Sequence, residues 1–223
     1  MILLLKIIAW TALMAALLFV PAGTLNWPAG WVYIAEFFVG SVAVSYWLAK
    51  HDPALLEERF SAPFQRPQRS WDRVFMAFIS FGWCAWMVVM GLDAVRFHLS
   101  HMPLWLQVIG AFGPPLGIYI GYRTFRENSF AAPIVKIQKE RGQQVVTTGP
   151  YSIVRHPMYA GAIFFIVGAP LLLGSWYGLA LSPLFILLIA IRAVLEERTL
   201  REGLEGYGDY MTRVRYRFVP LVW

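Results

Sequence analysis

The chain has 223 residues, 58% of them hydrophobic and 14% charged, with a mean hydropathy of +0.56 and a formal charge of +6. One soluble core of this length does not need so much apolar side chain, so an ordinary soluble domain is excluded and a polytopic, all-α integral membrane protein is indicated. Nor does the positive charge mark a nucleic-acid binder, because the basic residues flank apolar runs in separate loops and form no continuous stripe.

Six stretches approach the length a helix needs to cross ~30 Å of hydrocarbon, at about residues 2–20, 31–49, 74–92, 103–122, 157–174 and 177–195. The first resembles a signal peptide in having Lys6 and a following "PAG". A second span follows at once and Lys6 lies inside the apolar run, so the first reads as a retained helix. Glu36 stands inside the second span without an evident partner. "DPALLEERF", at 52–60, has the pattern of an amphipathic helix lying in the interface. The third span holds Cys84, the only cysteine, which rules out an internal disulfide or a cysteine metal site and reads as a small packing residue. Asp93, Arg96, His98 and His101 follow. Two histidines and one carboxylate make a poor metal set, so these are expected to be solvated loop residues. Pro114 and Pro115 predict a kink in the fourth span. Glycine, serine and alanine among bulky residues suit close helix packing, which makes 1–122 a scaffold of four helices.

Lys and Arg residues near helix ends orient the chain. Segment 50–73 carries Lys50, Arg59, Arg66, Arg69 and Arg73, and segment 123–155 carries Arg123, Arg126, Lys136, Lys139, Arg141 and Arg155. Arg198, Arg201, Arg213, Arg215 and Arg217 lie in the tail, whereas the alternate loops hold only Arg96. Both termini are therefore expected on the cytoplasmic side.

Polar chemistry concentrates in 123–223, the expected catalytic region. The connection before the fifth span shows alternation in "IVKIQ", a turn at Gly142, a β-prone "QQVVTT" and a second turn at Gly149 and Pro150. In "GPYSIVRHPMYAG", residues 149–161, Pro157 fits the first turn of a helix with His156 near the N-cap. His156 and Tyr159 are three apart and face one side, at a helix end that favours an anionic group. Arg155, Tyr151 and Tyr159 also sit where membrane-edge anchors belong. Arg192 and Glu196 are four apart at the end of the last span, on one face, with Glu197 beyond them. Ionisable residues there are functional candidates, the plain alternative being an intrahelical ion pair. The tight hairpin between the fifth and sixth spans returns Arg192 and Glu196 to the membrane face that holds His156. Gly203 and Gly206 weaken the helix beyond them, and the aromatic and basic tail is placed to fold back as a lid or to anchor in the interface. No phosphate loop, dinucleotide fingerprint or serine triad is present.

Three blocks in order, "GPYSIVRHPMYAG", "EERTL" and "YGDYMTRVRYRFVP", resemble the isoprenylcysteine carboxyl methyltransferase family and its phospholipid methyltransferase relatives. The resemblance covers about residues 125–220; the first four spans agree only in general character. It implies methyl transfer from S-adenosyl-L-methionine to a membrane-embedded or hydrophobic acceptor, with a prenylcysteine-like carboxylate foremost and no metal. It further implies a cytoplasm-facing cofactor pocket lined by Gln138, Gln143, Gln144, Val145, Val146, Tyr151, His156, Pro157, Met158 and Tyr159, with Glu196 also on the cofactor. Arg192 is implied at the substrate, which makes Arg192, Glu196 and His156 the expected catalytic set. The spacing from Gln138 to "QQVV" is shorter than in eukaryotic members. Alternative acceptors are a phospholipid amine, which needs a base such as His156 or Glu197, and a small thiol. Related sterol reductases fit poorly, since the chain is short and lacks a nicotinamide site. A non-enzyme reading, a transport or structural protein, leaves Arg192 and Glu196 as a packing ion pair.

Overall fold

The computed structural model describes residues 2–61 and 68–223. Arg66, counted above among the cytoplasmic-side cations, lies outside the described residues. The fold is helical, with no strand among the described residues. The chain rises through α1 (Ile2–Ala22), returns through α2 (Pro28–His51), and runs along a short α3 (Pro53–Arg59). It then crosses again in α4 (Ser70–Gly91), whose end widens into a π-helical turn at Leu92–Arg96. After α5 (Leu104–Gly110) and α6 (Gly113–Glu127) come the hairpin helices α7 (Pro157–Leu173) and α8 (Trp176–Gly203), and finally α9 (Tyr207–Arg213).

Among the described residues, five helical segments are long and apolar enough to cross a membrane: α1, α2, α4 with its π turn, α5 with α6, and α8. The sixth expected span, α7, has 17 residues. At 1.5 Å per residue it reaches about 25 Å, short of the hydrocarbon core. Large apolar side chains such as Leu13, Val39, Phe78, Phe81 and Leu187 point outward, as lipid-facing residues do.

Two expectations are corrected here. Pro114 and Pro115 do not kink a continuous helix: the helix breaks at 111–112, and the prolines occupy the first turn of α6, where a missing N–H costs nothing. "QQVVTT", β-prone in sequence, forms no strand. Glycines bring α6 against α7: a Cβ on Gly113 would stand 2.5 Å from the Phe164 carbonyl oxygen, and one on Gly117 would stand 2.7 Å from that of Gly161. Only backbone fits between these helices, which fixes the position of α7 and with it the site at its N-terminal end.

The two ends of the bundle differ. At one end Asp93, expected to be solvated, is only 3% exposed and accepts hydrogen bonds from the hydroxyls of Ser100 at 2.7 Å and Ser175 at 2.5 Å. Ser175 caps α8 by accepting from the Gly178 amide, and Gly174 turns the hairpin at a φ of +81°, a left-handed conformation that favours glycine. The other end gathers α3, the 128–156 connection, the first turn of α7, the last turns of α8 and the tail.

Candidate active site

The hairpin mouth forms because His156 N-caps α7 and Pro157 begins it. His156 stacks on Tyr159, with ring centroids 5.3 Å apart, and the Tyr159 hydroxyl donates to Glu196 Oε2 at 2.7 Å. His156 Nδ1 is 4.0 Å from that same oxygen, and its Nε2 is 3.2 Å from Glu197 Oε1. Since an ionised carboxylate only accepts, the Glu197 contact places a proton on Nε2, and Nδ1 is turned to the Glu196 side.

Glu197 is the knot that holds the tail. It is 3% exposed and receives Arg155 Nε at 2.6 Å and Arg217 Nε at 3.0 Å. Arg155 also donates to the carbonyls of Val214 and Arg215, while the amides of Arg155 and His156 donate to the carbonyls of Tyr216 and Arg217. Arg155, which by position could be a membrane-edge anchor, is instead buried, because a carboxylate and two backbone carbonyls replace water around its guanidinium. Phe218 completes the strap against the rings of His156 and Tyr159.

Arg192 lies one turn deeper on α8. Its Nε donates to Asp72 Oδ1 at 3.0 Å and its Nη2 to the Pro133 carbonyl at 2.8 Å. The Phe75 and Tyr159 rings are 5.8 and 5.9 Å away. The partner of Arg192 is thus Asp72 of α4 rather than Glu196. Asp72 is 0% exposed and also accepts from Gln68 Nε2 and the Val135 amide, so one carboxylate ties α4, α8 and the connecting segment together. Sequence reasoning missed Asp72. The only local signal was a carboxylate two residues after the start of an apolar helix, which more often marks a helix N-terminus.

Between these elements lies a cavity of about 800 Å³, counting its open mouth. Gln143, Gln144, Val145, Val146, Tyr151, His156, Pro157, Met158, Tyr159 and Glu196 all line it. Gln138 does not: its side chain donates to the Phe130 carbonyl and accepts from Arg141, and its amide donates to the Gln143 side chain, so it shapes the loop from behind. Arg192 is likewise outside the lining and meets the cavity through Tyr159. Residues not singled out from sequence complete the wall, among them Asn128, Phe130, Leu200, Leu204, Tyr207 and Tyr210. Asn128 donates to the Tyr151 hydroxyl at 2.7 Å, and Tyr210 donates to the Tyr151 carbonyl at 2.8 Å. Burial, partly offset by the Asn128 hydrogen bond, pushes the Tyr151 phenol above its ordinary range, and burial does the same for Tyr207 and Tyr210. All three stay neutral. Arg59, outside the lining, braces it by donating to the carbonyl of the lining residue Ala131 and lying over Phe125; burial lowers its guanidinium to about 10, so it remains charged at neutral pH.

The lining suits a ligand with an apolar, ring-bearing part and a polar or cationic part. Aromatic faces and Val145, Val146, Leu200 and Leu204 supply the first, and Glu196 supplies a carboxylate for the second. The backbone N–H and C=O groups of residues 144–147 make no hydrogen bond among the described residues, which leaves them available to a flat polar ring. That is the chemistry of an adenosyl sulfonium compound. Several membrane-length helices with a polar, carboxylate-bearing cavity at one end of a short hairpin define a multi-pass membrane protein with a candidate ligand site at that end. Residues 106–206 match the family described as phospholipid methyltransferase, which includes the isoprenylcysteine carboxyl methyltransferases. The match runs from α5 to the end of α8, leaving Asp72, α9 and the tail strap outside it.

Proposed function

We propose that the protein transfers a methyl group from S-adenosyl-L-methionine to an acceptor held in the bilayer, with carboxyl O-methylation of a prenylcysteine-like substrate as the leading reaction. On the Lys and Arg distribution, the cavity end and both termini face the cytoplasm. The cofactor supplies an electrophilic methyl on sulfur. The observation that carries the acceptor reading is the order of charges along α8: Glu196 faces the cavity, and Arg192 lies one turn deeper, toward the hydrocarbon, behind Tyr159. A polar ligand end at Glu196 and a lipid-borne carboxylate near Arg192 would then meet at Tyr159. Arg192 Nη1 makes no hydrogen bond among the described residues, which leaves a donor for such a carboxylate. Because Asp72 already balances Arg192, the guanidinium can orient an anion without gripping it as a full unpaired charge would.

In-line displacement by a carboxylate breaks the carbon–sulfur bond, forms the ester C–O bond and leaves a neutral thioether, so no proton moves and no base is needed. Positioning supplies the rate, and a site sheltered from water does not oppose the loss of both charges.

Phospholipid N-methylation is the second reading, favoured by one observation. An ammonium must lose a proton before attack, and His156, anchored through Nε2 on Glu197, presents Nδ1 on the Glu196 side, where a base would be needed. Glu197 is no such base, since both its oxygens are engaged by arginines.

Purified protein in lipid nanodiscs, given methyl-labelled cofactor and a panel of farnesylcysteine, phosphatidylethanolamine and a small thiol, separates these readings. Label is expected on the prenylcysteine carboxyl and lost in Arg192→Ala. Label on phosphatidylethanolamine, abolished by His156→Ala but not by Arg192→Ala, selects the second reading. No transfer to any acceptor together with no calorimetric binding of S-adenosylhomocysteine would sink both.

A further inference from the structure

Four phenols face the cavity, and three have partners. Tyr159 donates to Glu196, the Tyr151 hydroxyl accepts from Asn128, and Tyr210 donates to the Tyr151 carbonyl. Tyr207 differs. It opens α9 just after Gly206, whose φ of +78° reverses the chain beyond α8 and delivers the ring to the cavity wall beside Leu200 and Leu204. The residue is 5% exposed, its ring lies 5.7 Å from that of Tyr210, and its hydroxyl oxygen is buried with no hydrogen-bond partner among the described residues.

A hydroxyl withdrawn from water without a partner destabilises the fold, and a phenylalanine there would pack the same ring without that cost. Orphaned groups of this kind in a native interior call for an explanation, and a cavity wall supplies one: the partner arrives with the ligand. Burial foremost, and then the nearby carboxylates of Glu197 and Glu196, keep the phenol protonated, so the hydroxyl of this lining residue retains a proton to donate.

We propose that Tyr207 is a ligand-recognition residue of this cavity, donating its hydroxyl proton to an oxygen or ring-nitrogen acceptor of the bound S-adenosyl compound. The inference rests on the cofactor reading above. It extends the site beyond the family-matched segment, which ends at residue 206, and makes α9 a working wall rather than a surface anchor.

The test is Tyr207→Phe in the full chain, which removes one oxygen and keeps the ring. Titration calorimetry with S-adenosylhomocysteine should show affinity weakened about three- to tenfold, the range of one neutral hydrogen bond. The thermal midpoint without ligand should stay level or rise, because the variant sheds an unpaired buried hydroxyl. Unchanged affinity overturns the proposal, and so does a lowered ligand-free midpoint with unchanged affinity, which makes the hydroxyl structural. Repeating the titration with 5′-methylthioadenosine, which lacks the amino-acid end, locates the contact: a loss shared by both ligands places it on the nucleoside, and a loss confined to S-adenosylhomocysteine places it on the amino-acid end. If the unaltered protein binds neither compound, the cofactor reading itself fails and takes this inference with it. The unaltered chain therefore reports on the cofactor, and the variant on Tyr207.

Discussion

The two ends of the bundle use buried carboxylates in opposite ways. Asp93, at the hairpin turn, is surrounded by hydroxyls and an amide: Ser100, Ser175 and the Tyr177 N–H. Its oxygens are consumed in sealing that end. At the cavity end three carboxylates divide the work. Glu197 binds two arginines and holds the tail, Asp72 binds Arg192 and holds the connecting segment, and Glu196 accepts from Tyr159 alone while a quarter of its side chain stays open. A carboxylate's burial therefore says little about function; what separates a seal from a site is whether acceptor capacity is left over beside a cavity.

Four substitutions sharpen or break that contrast, measured by thermal and denaturant unfolding in detergent alongside binding of S-adenosylhomocysteine. Glu197→Ala should cost most, ~3–5 kcal/mol, because it strands two arginine charges. Intact stability in that variant would remove the strap as a structural device. Asp72→Asn should cost about 3 kcal/mol by leaving Arg192 uncompensated, and should slow transfer more than it weakens cofactor binding. A fall in binding alone would place Asp72 with the cofactor loop instead of the acceptor. For Asp93→Ala the expected loss is about 2 kcal/mol, from unpaired Ser175 and Tyr177 groups, with unaltered affinity below the unfolding transition. Weakened binding there would show that the two ends are coupled. Glu196→Gln should lose under about 1 kcal/mol, since the amide oxygen can still accept from Tyr159, yet weaken ligand binding roughly tenfold by removing a charge. If stability fell and affinity held, Glu196 would belong with Asp93 among the seals.

Much of the cavity was legible in the sequence because it lies on short-range geometry. Pro157 at a helix start presents His156 and Tyr159 together, and a tight turn necessarily returns Glu196 to the same level. The Gln143–Val146 stretch was placed in the pocket by resemblance, although its β-like residues form no strand among the described residues. Gln138 was assigned to the lining by the same route and lies behind the loop, since a local motif does not say which side of a loop a side chain takes. Asp72 and Arg217 were not singled out as site residues, because each acquires its place only through a partner more than ten residues away, and Tyr207 was not, because the turn at Gly206 and the packing beyond it decide where its ring goes.

Hydropathy, charge distribution and helix-start chemistry therefore determined by themselves that this is a membrane helical protein with a polar mouth on a C-terminal hairpin. Those signals are local and survive in any packing that buries apolar surface. Only the tertiary structure decided that Arg192 is paired with Asp72, that Arg155 is a buried tie rather than a surface anchor, and that a tail tyrosine ends in the cavity without a partner. Each of those outcomes depends on which charge meets which across helices. Burial makes that choice energetically decisive, because a charge or hydroxyl withdrawn from water must find its partner inside the protein or in the ligand it receives.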